Sequence, residues 1–136
     1  MPHHHTPSSP PPLTRNQRHV LDVLLRGKTA LSAYNILGQL RGQGFRAPLQ
    51  VYRALEKLID LGLVHRLESL NAFVACSHQN CNNHELVAFA ICQKCGIIAE
   101  FDNENIANDI TKHMQTMHFQ PTTTALEIRG LCKKCK

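Results

Sequence analysis

The chain has 136 residues, 43% of them hydrophobic, with six cysteines, no tryptophan and a formal charge of +5. That length holds one domain or two small ones, and no apolar run approaches the roughly 20 residues that cross a bilayer. No apolar stretch near the N-terminus has the form of a signal peptide, so the cysteines read as thiols held by metal inside a cell rather than as disulfides. The basic balance suits a polyanionic partner, and it survives metal binding, because a four-thiolate zinc centre carries a net charge of only about −2.

Residues 1–12, rich in Pro, His and Ser, cannot bury a core and are read as a disordered tail. A first helix starts at Thr14, where Thr14-x-x-Gln17 has the form of a capping box. Val20, Leu21, Leu24 and Leu25 supply its apolar stripe, His19 falls on its exposed face, and Gly27 ends it. Ser32 is an N-cap for a second helix over 33–41, with Ala33, Ile36, Leu37 and Leu40 inward. Pro48 opens a third helix, whose Val51, Leu55, Leu58 and Ile59 recur at helical spacing before Gly62 stops it. The period then changes to two. Residues 63–67, a polar turn at 68–71 and residues 72–76 read as a β-hairpin. Three short helices and a hairpin make a winged helix-turn-helix over 13–76, with the third helix as the element suited to the major groove. Residues 77–84 are polar and read as a hinge. Strands at 85–91 and 97–101, a helix near 104–117 with Ile106, Ile110, Met114 and Met117 on one face, and a strand at 122–129 fill the rest. The expected fold class is α+β: a winged helix followed by a small α/β unit over 85–136. A unit of that size often needs a structural metal.

Such a metal is written into the cysteine spacing. Cys92-x-x-Cys95 and Cys132-x-x-Cys135 are two knuckles that can give Zn²⁺ a tetrahedral four-thiolate shell. Gly96 supplies the positive φ such a turn often requires. The 36 residues between the pairs exceed a simple zinc ribbon, so the loop must be structured and the metal ties the chain's end to its middle. Redox dithiols are the bland alternative.

A second group of ligand types, His65, Cys76, His84 and Glu100, is scattered along the sequence. His65 and Cys76 lie on the two hairpin strands, and His84 and Glu100 flank the first knuckle's strands. An ion held by all four joins the winged helix to the second unit. Spacing leaves this open, because Cys76-x4-Cys81-x2-His84 is itself a cluster in which Cys81 or His78 can substitute. His113 and His118 read as surface groups. On the third helix, Arg53 can reach guanine edges, while Tyr52 and Gln50 can meet phosphates or bases. An ordinary solvated helix face is the alternative. No nucleophile elbow, P-loop or dinucleotide fingerprint is present, and a four-cysteine zinc set offers no open position for catalysis.

Taken in order, Leu13-Thr-Arg-Asn-Gln-Arg18, Ser32-Ala-Tyr34, Val51-Tyr-Arg-Ala-Leu55, Leu61-Gly-Leu-Val-His65, Cys92-x-x-Cys95-Gly96 and Gly130-Leu-Cys132-x-x-Cys135 resemble the ferric uptake regulator (Fur) family, and most of all its zinc-sensing members. The resemblance covers about residues 13–135. It implies a winged-helix DNA-binding domain, an α/β dimerisation domain, and a cytoplasmic homodimer, not an enzyme, that represses transcription on double-stranded operator DNA when metal is bound. It implies two zinc ions per subunit: a structural one on Cys92, Cys95, Cys132 and Cys135, and a regulatory one on His65, Cys76, His84 and Glu100. Tyr34 and Arg53 match positions where the family touches bases. Cys76 places a soft thiolate in the regulatory set, which favours Zn²⁺ over Fe²⁺ or Mn²⁺. Asn82-Asn83-His84-Glu85 stands where iron sensors carry a His-His-Asp-His run. The alternatives are a member that senses iron, manganese or nickel, and a zinc-ribbon interaction module without DNA function.

Overall fold

The structure, a computed structural model, describes residues 12–77 and 86–136. The tail, most of the expected hinge, and with it His78, Cys81 and His84, lie outside the described residues.

Three helices form the first layer: α1 (Arg15–Arg26), α2 (Ala33–Leu40) and α3 (Pro48–Asp60). The capping box at α1 is made in both directions, Thr14 N–H to Gln17 Oε1 (3.0 Å) and Gln17 N–H to Thr14 Oγ1 (3.2 Å). Ser32 caps α2 by accepting from Asn35 N–H at 3.1 Å, and Pro48 opens α3, where its missing N–H costs nothing. The expected inward residues of α2 are all buried. In α1 the expected Val20 and Leu24 are buried and Leu21 packs against the core, but Val23 takes the inward place expected for Leu25, which is 60% exposed. The reason is helical geometry, since i, i+3 and i+4 share a face and i+1 leaves it. In α3 the expected Val51, Leu55 and Leu58 are buried, Ala54 joins them, and Ile59 is partly exposed. His19 is half-buried rather than on an open face, its ring set edge-on to Phe45 at 6.4 Å.

The hairpin β1 (Val64–Leu67) and β2 (Ala72–Ala75) pairs Val64 with Ala75 and His65 with Val74. Its two faces serve different cores. Val64 and Phe73 pack with the helices, while Leu67 and Val74 pack with Phe89 and Ile91 of the next sheet. That sheet is three-stranded, in the order β4 (Ile98–Phe101), β3 (Leu86–Cys92), β5 (Thr124–Gly130), with β4 antiparallel and β5 parallel to β3. Helix α4 (Glu104–Thr116) makes the crossover from β4 to β5. Ile106, Ile110 and Met114 on α4 are only half-buried, and Met117 and Phe119 beyond it are exposed.

The α1–α2 connection is a further join. Leu31 and Phe73 exchange backbone hydrogen bonds of 3.0 and 2.8 Å, and Ile98 N–H donates to the Lys28 carbonyl at 3.2 Å. This segment therefore touches the hairpin with one end and β4 with the other. Gly96 has φ +78°, a left-handed conformation that favours glycine, while a Cβ there would make only ordinary contact with Thr29 Cγ2 at 3.4 Å.

Candidate metal centres and nucleic-acid face

The two knuckles converge. Cys92 and Cys95 lie at the end of β3 and in the turn to β4, and Cys132 and Cys135 follow β5, which runs parallel beside β3. The Cys92–Gly130 register delivers the second knuckle alongside the first. The four sulfurs lie within 4.8 Å of one another, and Cys95 and Cys132 Sγ are 3.7 Å apart. A tetrahedron with Zn–S bonds of about 2.3 Å has S···S edges of about 3.8 Å, so the donor set fits zinc. The N–H groups of Cys95 (3.5 Å) and Cys132 (3.4 Å) point at Cys92 Sγ. These bonds outweigh burial and lower the Cys92 pKa to about 5. Cys135 moves the other way, to about 12, because its thiol is hydrogen-bonded to Cys132 and to the other sulfurs and is partly desolvated. The four sulfurs form one cluster whose full ionisation requires a cation.

The second cluster lies between the hairpin and the sheet. His65, Cys76 and Glu100 place their ligand atoms within 4.8 Å of one another. The period of two explains it. His65 on β1 and Cys76 just past β2 fall on the hairpin face that carries Val74, and Glu100 pairs with Phe89 on the sheet face opposite. His65 Nε2 is 3.3 Å from Glu100 Oε1, yet it is buried and makes no well-formed hydrogen bond among the described residues. A buried imidazole nitrogen without a proper partner is costly in an apolar setting and suited to a metal. The ring itself is held edge-on by Phe89 at 5.5 Å.

Sequence spacing gave no sign of Ser77, which orients the carboxylate. Its N–H (3.0 Å) and hydroxyl (2.9 Å) both donate to Glu100 Oε2, leaving Oε1 toward His65 and 3.9 Å from Cys76 Sγ. Burial works against charge on Glu100, but the His65 imidazole and the two Ser77 donors outweigh it and lower the pKa to about 2. The Glu100 carboxylate is therefore an anion at neutral pH. A cleft of about 310 Å³ opens beside the site, lined by Leu25, Lys28, Val74, Cys76 and Glu100 among others. The Cys76 sulfur is disulfide-bonded in this structure, which departs from the expectation that every cysteine is a thiol. Only the reduced thiolate coordinates metal, so oxidation and zinc are alternative fates of this sulfur.

On the helical side, Tyr34 at the start of α2 is 71% exposed, Tyr52 on α3 is 42% exposed, and Arg53 also points outward. Gln50 is differently engaged. Its Oε1 accepts from the N–H groups of Arg46 (2.7 Å) and Ala47 (3.1 Å), so this oxygen caps α3 itself. Arg15, Arg18, Arg41, Arg46 and Lys57 are exposed as well. Among the described residues no helix is long and apolar enough to cross a membrane.

Comparison with known proteins agrees with this geometry. The chain is 34% identical over 90% of its length, and 72% of the relative's, to the zinc uptake regulation protein of Escherichia coli (strain K12). The crystal structure of holo XcZur is similar at 37% identity and a TM-score of 0.81, over 90% of this chain and 84% of that one. A zinc uptake regulator complexed with zinc and DNA is similar at 31% identity and a TM-score of 0.84, over 90% of this chain and 82% of that one. The family model described as the ferric uptake regulator family matches residues 12–129. The chain belongs to the ferric uptake regulator family.

Proposed function

We propose that this chain is a zinc-responsive transcriptional repressor, which binds double-stranded operator DNA as a homodimer in the cytoplasm, controls zinc uptake genes and has no enzymatic role. The observation that carries the reading is the His65–Cys76–Glu100 cluster, set across the junction between the winged helix and the sheet. Ligands from both sides of a junction can respond to metal by changing how the two sides sit. The similarity to a zinc uptake regulator crystallised with zinc and DNA supports the same effector and the same partner.

Two ions per subunit are assigned. Cys92, Cys95, Cys132 and Cys135 hold the structural zinc, and His65, Cys76, Glu100 and His84 hold the regulatory one, His84 lying outside the described residues. Zinc held there would tie these residues together across the junction. Glu100 fixes the sheet side of that tie and His65 and Cys76 fix the hairpin side, with Ser77, next to Cys76, orienting the carboxylate. The residues from 13 to 76 act as the DNA-binding domain and those from 85 to 136 as the dimerisation domain, with residues 77–84 as the hinge. The half-exposed face of α4 and the outer side of β5, with Ile128 50% exposed, supply the apolar surface for the second copy. Tyr34, Tyr52 and Arg53 face the DNA, Arg53 reading a guanine edge and the tyrosines meeting the backbone or bases. Gln50 contributes its amide NH₂, since its oxygen caps the helix.

The test is Cys76→Ser, assayed under reducing conditions by operator binding against zinc concentration. We expect folding and the four-cysteine zinc to persist, while zinc-dependent affinity falls by about 10- to 100-fold. Unchanged zinc dependence would overturn the assignment of the regulatory site.

A further inference from the structure

Beyond the metal ligands, one row of the sheet holds the hairpin at a second point. Phe89 of β3 pairs with Glu100 on one side and with Glu127 of β5 on the other, so the three side chains stand on one face in line across the sheet. That face is the one turned toward the hairpin. Glu100 at one end grips its base, through His65, Cys76 and Ser77. Phe89 in the middle is 1% exposed and packs with Leu67 and Val74. Glu127 at the other end grips its tip: Oε2 accepts from Glu68 N–H at 3.1 Å, and Oε1 accepts from Ser69 N–H at 3.1 Å and from the Ser69 hydroxyl at 2.5 Å.

We infer that Glu127 is a positioning residue that fixes the wing tip against the sheet and so sets how much zinc is needed to switch on DNA binding. The inference rests on the zinc-sensing reading above. Glu127 is too far along the hairpin to be a metal ligand, since its carboxylate is committed to the tip while the ligands gather at the base. Its bonds join residues 58 and 59 positions apart in sequence, so they exist only when hairpin and sheet are docked. Charge-assisted bonds to two backbone N–H groups and a hydroxyl are stronger than neutral ones, even with partial solvent access. In a two-state junction such a contact raises the fraction of molecules already in the docked arrangement. The apparent affinity of a ligand that binds the docked arrangement rises with that fraction. Glu127 therefore acts on the zinc threshold and not on the zinc coordination.

The experiment uses the full-length reduced homodimer, the zinc ion itself and operator DNA, comparing wild type with Glu127→Ala and Ser69→Ala. Zinc content, thermal midpoint and the zinc concentration for half-maximal DNA binding are read for each. Glu127→Ala should raise the half-maximal zinc by roughly tenfold, with two zincs still bound at saturation and maximal DNA affinity retained. Ser69→Ala, which removes one bond of three from the opposite side, should shift it by a smaller factor in the same direction. The double variant should match Glu127→Ala alone, because both changes remove one shared contact. A half-maximal zinc within twofold of wild type for Glu127→Ala would overturn the inference while leaving the zinc sensor intact. Loss of the four-cysteine zinc in that variant would overturn it too, by making Glu127 a residue of the fold. DNA binding by wild type that ignores zinc would instead overturn the functional reading, and this one with it.

Discussion

The chemistry of the junction is concentrated in a few atoms. Ser77 occupies Glu100 Oε2 with two donors, so Oε1 alone is turned to the ligand cluster. The carboxylate enters already ionised, its pKa lowered to about 2 by its neighbours despite burial. At this scale the sequence was informative about kind and silent about arrangement. His65, Cys76 and Glu100 are recognisable as ligand types, and a period-two hairpin can bring the first two onto one face. Nothing in spacing marks Ser77 or Glu127, because a serine in a polar stretch and a glutamate on an alternating strand look like solvated surface. Arg53 belongs to the same scale. Arg53→Ala should weaken operator binding by about 1–3 kcal/mol, relax base preference at one position and leave both zincs bound. A gel-shift series on operator variants checks this, and equal losses on every sequence would make Arg53 a phosphate contact only.

Among the elements, helix ends and strand periods were legible because their signals are local. Thr14, Ser32 and Pro48 each open a helix where their side chains dictate. In the apolar stripe of α1 only Leu25 was misplaced, since it has a core-like side chain while Val23 holds the inward angle. The cysteine spacing ties the chain's end to its middle, but the parallel pairing of β5 with β3 was not legible. A parallel neighbour is set by the α4 crossover and by the second knuckle being drawn beside the first, both long-range facts. The four-cysteine centre is therefore the clasp of β5. Cys135→Ser should remove the tightly bound zinc or weaken it severely, and lower the thermal midpoint by several degrees, since metal-binding energy is folding energy in so small a unit. Calorimetry with metal analysis checks it. An unchanged midpoint with zinc lost would make the centre dispensable for the fold.

For the whole molecule, two contact points per hairpin matter more than either alone. Glu100 and Glu127 flank Phe89 and hold the base and the tip of one hairpin to one sheet. The helices that face outward with Tyr34, Tyr52 and Arg53 are rigidly continuous with that hairpin through the shared core of Val64 and Phe73. Orientation set at the junction is thereby passed to these outward-facing helices. In a homodimer the two winged helices must match successive faces of the major groove, so a change in tilt is a change in affinity. Coupling of this kind is reciprocal: operator DNA should tighten the weaker zinc by the same factor that zinc tightens DNA binding.

The most direct measurement is a zinc titration of the reduced, purified homodimer, counting tight and exchangeable ions while operator binding is followed in the same samples. The account predicts two zincs per subunit, with DNA affinity rising only as the weaker one fills. A single zinc per subunit, or operator affinity indifferent to the second, would contradict it.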